Sequence, residues 1–224
     1  MQIEISGIPI EITKKKIKNI NITVSPPDGR VSVSAPMRLS YADIEIFVRG
    51  KSAWIEKQHA RFRARPEISP LQYVSGETLY VWGEPYTLRV EGGRRNSLML
   101  VGNEAILIVR TGSTTAQRER YIKEWYRALL KAEIERYLPK WEAITGLHCS
   151  SRQTKYMTTR WGTCNTRTKK IWLNVQLAKK PPGCLEYVIL HELAHLRVKN
   201  HGKEFAAILD TYMPDWREIR KQLR

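Results

Sequence analysis

Three of the five histidines in this 224-residue chain fall within eleven positions: His191, His195 and His201. With Glu192 they spell HELAHLRVKNH. On a helix, positions four apart differ by about 40° in azimuth and about 6 Å in rise, so His191 and His195 project side by side from one face. Two imidazoles so placed can reach one ion at about 2.0–2.1 Å, the distance zinc requires. Glu192 follows too closely in sequence to ligate the same ion easily, yet it can hold a water beside it. A bound ion lowers the pKa of water towards about 7, and a carboxylate can take the proton as the water attacks a carbonyl.

The third histidine needs its own argument. Ten residues past His191, an unbroken helix would have turned about 1000° and risen about 15 Å, carrying His201 out of reach. For His201 to bind, the helix has to stop soon after His195. Asn200 and Gly202 bracket His201, and both residue types tolerate the left-handed backbone that ends helices. The H-E-x-x-H pattern is a metalloprotease signature. The metzincin version has a histidine at the same offset but turns on a glycine where this chain has Val198. Glu204 is the competing third ligand. The apolar run Tyr187–Leu190 places the motif on a buried helix, where an unpaired Glu192 carboxylate is costly. A metal site explains that cost, whereas a plain core helix or a binding module with a structural metal leaves Glu192 without a task.

Other candidate groups read more plainly. His59 and His148 have no partners at ligand spacing and are expected to be structural or surface residues. Cys164 is expected to be a small buried thiol rather than a nucleophile or a soft metal ligand.

The elements that must position this cluster suggest an α+β fold, strand-rich first and helix-rich later. Alternation at Ile20, Ile22, Val24 and at Val31, Val33 predicts half-buried strands around a Pro26-Pro27-Asp28-Gly29 turn. From a cap at Ser40 and Asp43, Ile44, Phe47, Val48, Lys51, Trp54 and Ile55 predict one helix to about Phe62. After a Pro66 to Pro70 loop, Thr78 to Trp82 and Tyr86 to Val90 predict a hairpin, and Ser97 to Val101 and Ala105 to Val109 two more strands. A long amphipathic helix is expected from about Ala116 to Leu138, ended by Pro139. Strands at Gln153 to Thr159 and Lys169 to Val175 follow, then a helix over Leu185 to Lys199 and two short helices split by Met213-Pro214. The expected division is a strand-rich region with one helix, 1–112, and a domain carrying the histidines, 113–224, with a single continuous core as the alternative.

Charge and composition narrow the setting. The chain has 38 basic and 22 acidic residues, a formal net charge of +16. The excess is concentrated: residues 150–203 hold 11 basic against 2 acidic residues, a field that draws polyanions or acidic substrates. Three cysteines without framework spacing fit a reducing compartment. The first twenty residues lack the unbroken apolar stretch of a signal peptide, and no apolar run is long enough to cross a bilayer. A cytoplasmic protein without membrane insertion is expected. Repeats and low-complexity tracts are not visible.

Several segments together resemble a known family. Arg160-Trp161-Gly162-Thr163-Cys164, Ile171-Trp172-Leu173-Asn174, Tyr187 through His195, then His201, Phe205 and Pro214 are similar to the YgjP-like zinc metallopeptidases, which are related to the SprT-like and WLM groups. Thr163 stands where that family usually has Ser, and Ala206 where Trp commonly follows Phe205. The resemblance implies a zincin-like domain whose active-site helix packs on a small sheet. It implies one zinc ion held by His191, His195 and His201, with Glu192 as general base. It also implies that Arg160 to Cys164 and Lys169 to Val175 run as neighbouring strands beside that helix, where an edge strand can pair with an extended protein or peptide substrate. Arg160, Trp161 and Asn174 are the substrate-binding candidates, Trp161 being equally readable as core. Arg160, Tyr187 and Tyr212 are candidates for steadying the oxyanion.

Two rival readings keep the metal. A metal-dependent nucleotide (UTP) pyrophosphatase would use Lys155, Arg160, Lys169 or Arg197 on the phosphates, although no glycine-rich phosphate loop is present. A nucleic-acid-tethered protease would use the basic surface for contact without sequence readout.

Overall fold

Period-2 alternation builds the first sheet. In β2 (Ile8–Lys15) and β4 (Arg30–Pro36), the residues Ile10, Ile12, Val31, Val33 and Ala35 are buried while the residues between them are more exposed, as expected for a sheet covered on one face. These two strands pair in parallel; β1 (Gln2–Ile5) lies antiparallel to β2, and β3 (Asn21–Ser25) antiparallel to β4. Ile44, Val48 and Ile55 from α1 (Tyr41–Arg49) and α2 (Ser52–Arg63) complete this core. The single helix expected here is two. Ser40 and Asp43 form a capping box, but the N–H groups of Gly50 and Lys51 turn back to Ile46 and Val48 and end the first helix. This unit spans Met1–Pro70 and the other Leu71–Arg224. The computed structural model describes residues 2–5, 7–25, 29–63 and 70–223, so most of the expected Pro26 turn and Pro66 loop lies outside the described residues.

The second unit opens with the same topology. β5 (Thr78–Val81), β6 (Glu84–Gly92), β7 (Ser97–Val101) and β8 (Glu104–Val109) are ordered β5-β6-β8-β7, as β1-β2-β4-β3 are in the first unit. Both sheets have a parallel central pair flanked by antiparallel partners. This duplication leaves no visible sequence repeat, because a sheet needs only the alternation and not the particular residues. The two-residue turn between β5 and β6 has positive φ at both Trp82 and Gly83, the primed geometry that suits a twisted hairpin.

The cut expected between 112 and 113 falls inside this unit, and the boundary lies at Pro70–Leu71 instead. Leu88, Leu107 and Val109 of the sheet share one core with Ile122, Tyr126 and Leu130 of α3 (Thr115–Thr145). The Tyr126 hydroxyl also donates to the Tyr80 carbonyl at 2.7 Å. Pro139 does not end α3, which runs on to Gly146 in the left-handed conformation. The contacts beyond the proline explain this. Trp141 is buried and donates its indole N–H to Glu186 at 3.1 Å, and Lys140 pairs with the same carboxylate at 2.9 Å. They hold the last two turns against α4 (Pro182–Ala194) despite the hydrogen bond lost at Pro139.

A three-stranded sheet follows, ordered β10-β11-β9, from β9 (Ser151–Lys155), β10 (Gly162–Asn165) and β11 (Lys170–Asn174). β10 is an edge strand, antiparallel to β11. A 3-10 turn (Val175–Lys179) leads into α4, and α5 (Lys203–Tyr212) and α6 (Trp216–Lys221) close the unit. The whole is an α+β arrangement. Among the described residues, no helix is long and apolar enough to cross a membrane.

Thr114 caps α3 by accepting from the Gln117 N–H, and Gln117 answers to the Thr114 N–H. Thr114→Ala is expected to lower unfolding stability by about 1 kcal/mol, read as a shift of the urea midpoint at unchanged slope.

Candidate metal centre

The helix that carries the motif is apolar on nearly every side. From Cys184 to Ala194, only Glu186 and His191 are not fully buried. It stops at Ala194, five residues before the expected Lys199. The N–H groups of Leu196 and Arg197 bond three residues back, to Leu193 and Ala194, so the last turn tightens. No residue from 195 to 202 has positive φ. The chain therefore leaves the helix without the left-handed residue expected at Asn200 or Gly202, and Val198 can stand where a glycine-based turn would demand Gly.

This early stop brings the three imidazoles together. The ligand atoms of His191, His195 and His201 lie within 4.8 Å of one another, and the Nε2 atoms of His191 and His201 are 3.0 Å apart. Nitrogens that hold one tetrahedral zinc at about 2.0–2.1 Å stand about 3.3 Å from each other. The other ring nitrogens are occupied. His195 Nδ1 faces the Val198 carbonyl at 3.1 Å, and His191 Nδ1 faces the Tyr187 hydroxyl at 3.4 Å. Partners of this kind fix which nitrogen is left free for a metal. Beneath them, the ring of Phe205 sits 4.8 Å from each of the three imidazoles. Glu204, the rival third ligand, is exposed and does not belong to the cluster.

Glu192 is 4% exposed, and among the described residues its Oε2 has no hydrogen-bond partner. In the metal-free protein burial pushes its carboxyl up to about 8, with Arg160 pulling the other way. Burial together with His195, His201 and Arg220 pushes His191 down to about 3, and burial lowers His201 as well. A buried unpaired carboxylate oxygen beside three clustered imidazoles fits a bound cation, whose charge favours both the carboxylate and the neutral rings. Gly162 makes room for that carboxylate. A Cβ there would come within 2.5 Å of Glu192 Oε1 and 2.8 Å of its Cγ.

The cluster lines a cavity of about 660 Å³, together with Arg160, Trp161, Cys164, Lys199 and Arg220. Of the substrate-binding candidates, Arg160 and Trp161 line it. Trp161 also braces the fold, its indole N–H donating to the Leu223 carbonyl at 3.0 Å. Asn174 does not line it. Its amide is buried and spent on backbone: Nδ2 donates to the Met157 and Arg160 carbonyls, both at 2.8 Å, and Oδ1 accepts from the N–H groups of Met157 and Gln176. Asn174 thus holds the loop that presents Arg160, and sequence alone could not separate holding from touching. Tyr212 does not line the cavity either. Cys164 is half-buried rather than buried, and burial, with Glu192 nearby, pushes its thiol up to about 11. His59 meets the Gly29 carbonyl at 2.7 Å and His148 is a surface residue near Glu142.

Arg220 and Leu223 were not foreseen from the sequence. They reach the cavity because Trp216 stacks on Tyr187, with ring centroids 6.1 Å apart and planes within 3°. A contact 29 residues long in sequence leaves no local pattern to read.

The family described as "YgjP-like, metallopeptidase domain" matches residues 18–224. The chain belongs to the YgjP-like metallopeptidase family. It is therefore an enzyme of the metallopeptidase class, and the family implies a divalent metal and a peptide or protein substrate. Two crystal structures of metallopeptidase zymogens are similar to part of this YgjP-like chain. Jannalysin of Methanocaldococcus jannaschii is 26% identical over 40% of this chain and 92% of its own, with a TM-score of 0.37. Abylysin of Pyrococcus abyssi is 19% identical over 40% of this chain and 90% of its own, with a TM-score of 0.38. No curated protein matches.

Two substitutions test the supports of the site. Gly162→Ala is expected to displace the Glu192 carboxylate and lower peptide turnover at least about tenfold, a 1.4 kcal/mol effect, with metal content unchanged. Asn174→Ala leaves backbone groups unpaired and is expected to cost about 1–3 kcal/mol in urea unfolding, with a further loss of turnover where the protein is still folded.

Proposed function

We propose that this YgjP-like chain is a single-zinc peptidase in which His191, His195 and His201 hold the ion and Glu192 is the general base. The observation that carries the proposal is the buried, unpartnered Oε2 of Glu192 next to the three-histidine cluster. Zinc, when bound, supplies Lewis acidity to water and to the scissile carbonyl.

The chain's own groups do the rest. Glu192 takes a proton from the attacking water as the oxygen adds to the carbonyl carbon. As the C–N bond breaks, Glu192 returns the proton to the leaving nitrogen. Arg160, whose charge favours the ionised form of Glu192 against the effect of burial, offers N–H donors to the developing oxyanion. Arg220 of α6, which lines the same cavity, is the second such donor. Tyr187 faces His191 Nδ1 and serves to orient that ring. The outer edge of β10, which lines the cavity at Gly162, Thr163 and Cys164, pairs with an extended substrate segment by strand addition. Phe205 excludes water from below the imidazoles.

The same cations would also suit the triphosphate of UTP, the reading in which the enzyme is a nucleotide pyrophosphatase. One experiment separates the two. Glu192→Gln is expected to retain its zinc while cleavage of a fluorescein-labelled unfolded protein falls at least about a hundredfold. Full cleavage by this variant contradicts the mechanism. Phosphate release from UTP by the wild-type enzyme, with no cleavage of the unfolded protein, would favour the nucleotide reading.

A further inference from the structure

A second concavity in the Leu71–Arg224 unit, about 670 Å³ in volume, is lined by Arg94, Arg95, Arg110 and Arg120, with Tyr121 and Glu124. The arginines arrive from three places: two from the turn between β6 and β7, one just past β8, and one from the second turn of α3. All four are exposed. Among the described residues none of their side chains has a hydrogen bond or ion pair.

Several other arginines of the chain are neutralised. Arg49, Arg89, Arg136, Arg152 and Arg217 each hold a carboxylate. Glu124, the carboxylate on the concavity wall, pairs with Arg127 at 3.1 Å and not with any of the four arginines. Like charges gathered from separate elements repel, and a bound polyanion relieves that repulsion. The first turn of α3, with Ser113 and Gln117 on the cavity wall, adds the positive end of a 31-residue helix.

We infer that this groove binds the phosphate backbone of a single-stranded nucleic acid. Each cation is an arginine, whose planar fork matches phosphate oxygens in pairs. The half-buried ring of Tyr121 offers a face on which a base can stack. The contacts position a strand and read no sequence. This inference does not depend on the histidine cluster or on the peptidase reading.

The test is fluorescence anisotropy of the full-length protein with a labelled 20-nucleotide oligodeoxythymidine at 50 and 200 mM NaCl. Four neutralised phosphates give a salt slope of about −2.8, which is about a 50-fold loss of affinity across that range. Arg94→Ala/Arg120→Ala leaves two contacts, so binding should be weaker at 50 mM and fall only about 7-fold by 200 mM. Both residues are exposed and unpartnered, so peptide turnover should be unchanged, which reports intact folding. Lys57→Ala/Arg61→Ala removes the same charge from exposed positions of α2 and should bind as wild type. Absence of saturable binding, or equal weakening in both double variants, overturns the inference. Displacement by inorganic triphosphate or polyglutamate at matched charge, as effectively as by unlabelled oligonucleotide, also overturns it, by assigning the groove to small polyphosphates or acidic protein.

Discussion

A carboxylate buried among apolar side chains and neutral imidazoles is unstable unless something positive sits beside it. Taking an ion out of water costs several kcal/mol even after the surroundings relax, and Glu192 has an oxygen that no group among the described residues satisfies. Arg160 acts on it only through space from an exposed position. His191 cannot compensate by protonating, because burial and the proximity of His195 and His201 oppose a charge on it. Without a cation Glu192 favours its protonated form, pushed up to about 8; a dication held by those rings, as proposed above, would restore the carboxylate that the catalytic proposal needs.

The rest of the second unit can be understood as the means of making that placement. α4 is buried through most of its length, which fixes the azimuth of His191 and Glu192. Its early end returns His201 to the cluster, and the Val198 carbonyl exposed by that end holds the His195 ring. β10 brings Gly162 up to the carboxylate, while Asn174 ties down the loop before β10. The stack of Trp216 on Tyr187 brings Arg220 to the cavity wall. Each support comes from a different element, so the site exists only when the unit is folded.

Much of this was legible in the sequence where chemistry is local. Spacing alone put His191 and His195 on one face, and alternation or 3.6 periodicity located most strands and helices. Errors arose where a tertiary contact overrode a local signal. Pro139 reads as a stop, yet Trp141 and Lys140 hold the helix beyond it through Glu186. Gly50 splits a pattern that is otherwise helical through Phe62. The expected cut at 112 follows a change of composition, whereas the core passes through it from Leu107 to Ile122. Asn174 and Arg160 looked equivalent as polar residues near the motif, and only burial distinguishes the residue that holds the loop from the one that lines the cavity.

X-ray absorption at the zinc edge, on protein purified and then loaded with one equivalent of zinc, tests the central claim most directly. The account predicts three imidazole nitrogens at about 2.0–2.1 Å with a remaining light-atom ligand, and loss of one imidazole shell in His201→Ala. A sulfur at about 2.3 Å, which would bring in Cys164, or a spectrum unchanged by His201→Ala, would contradict it.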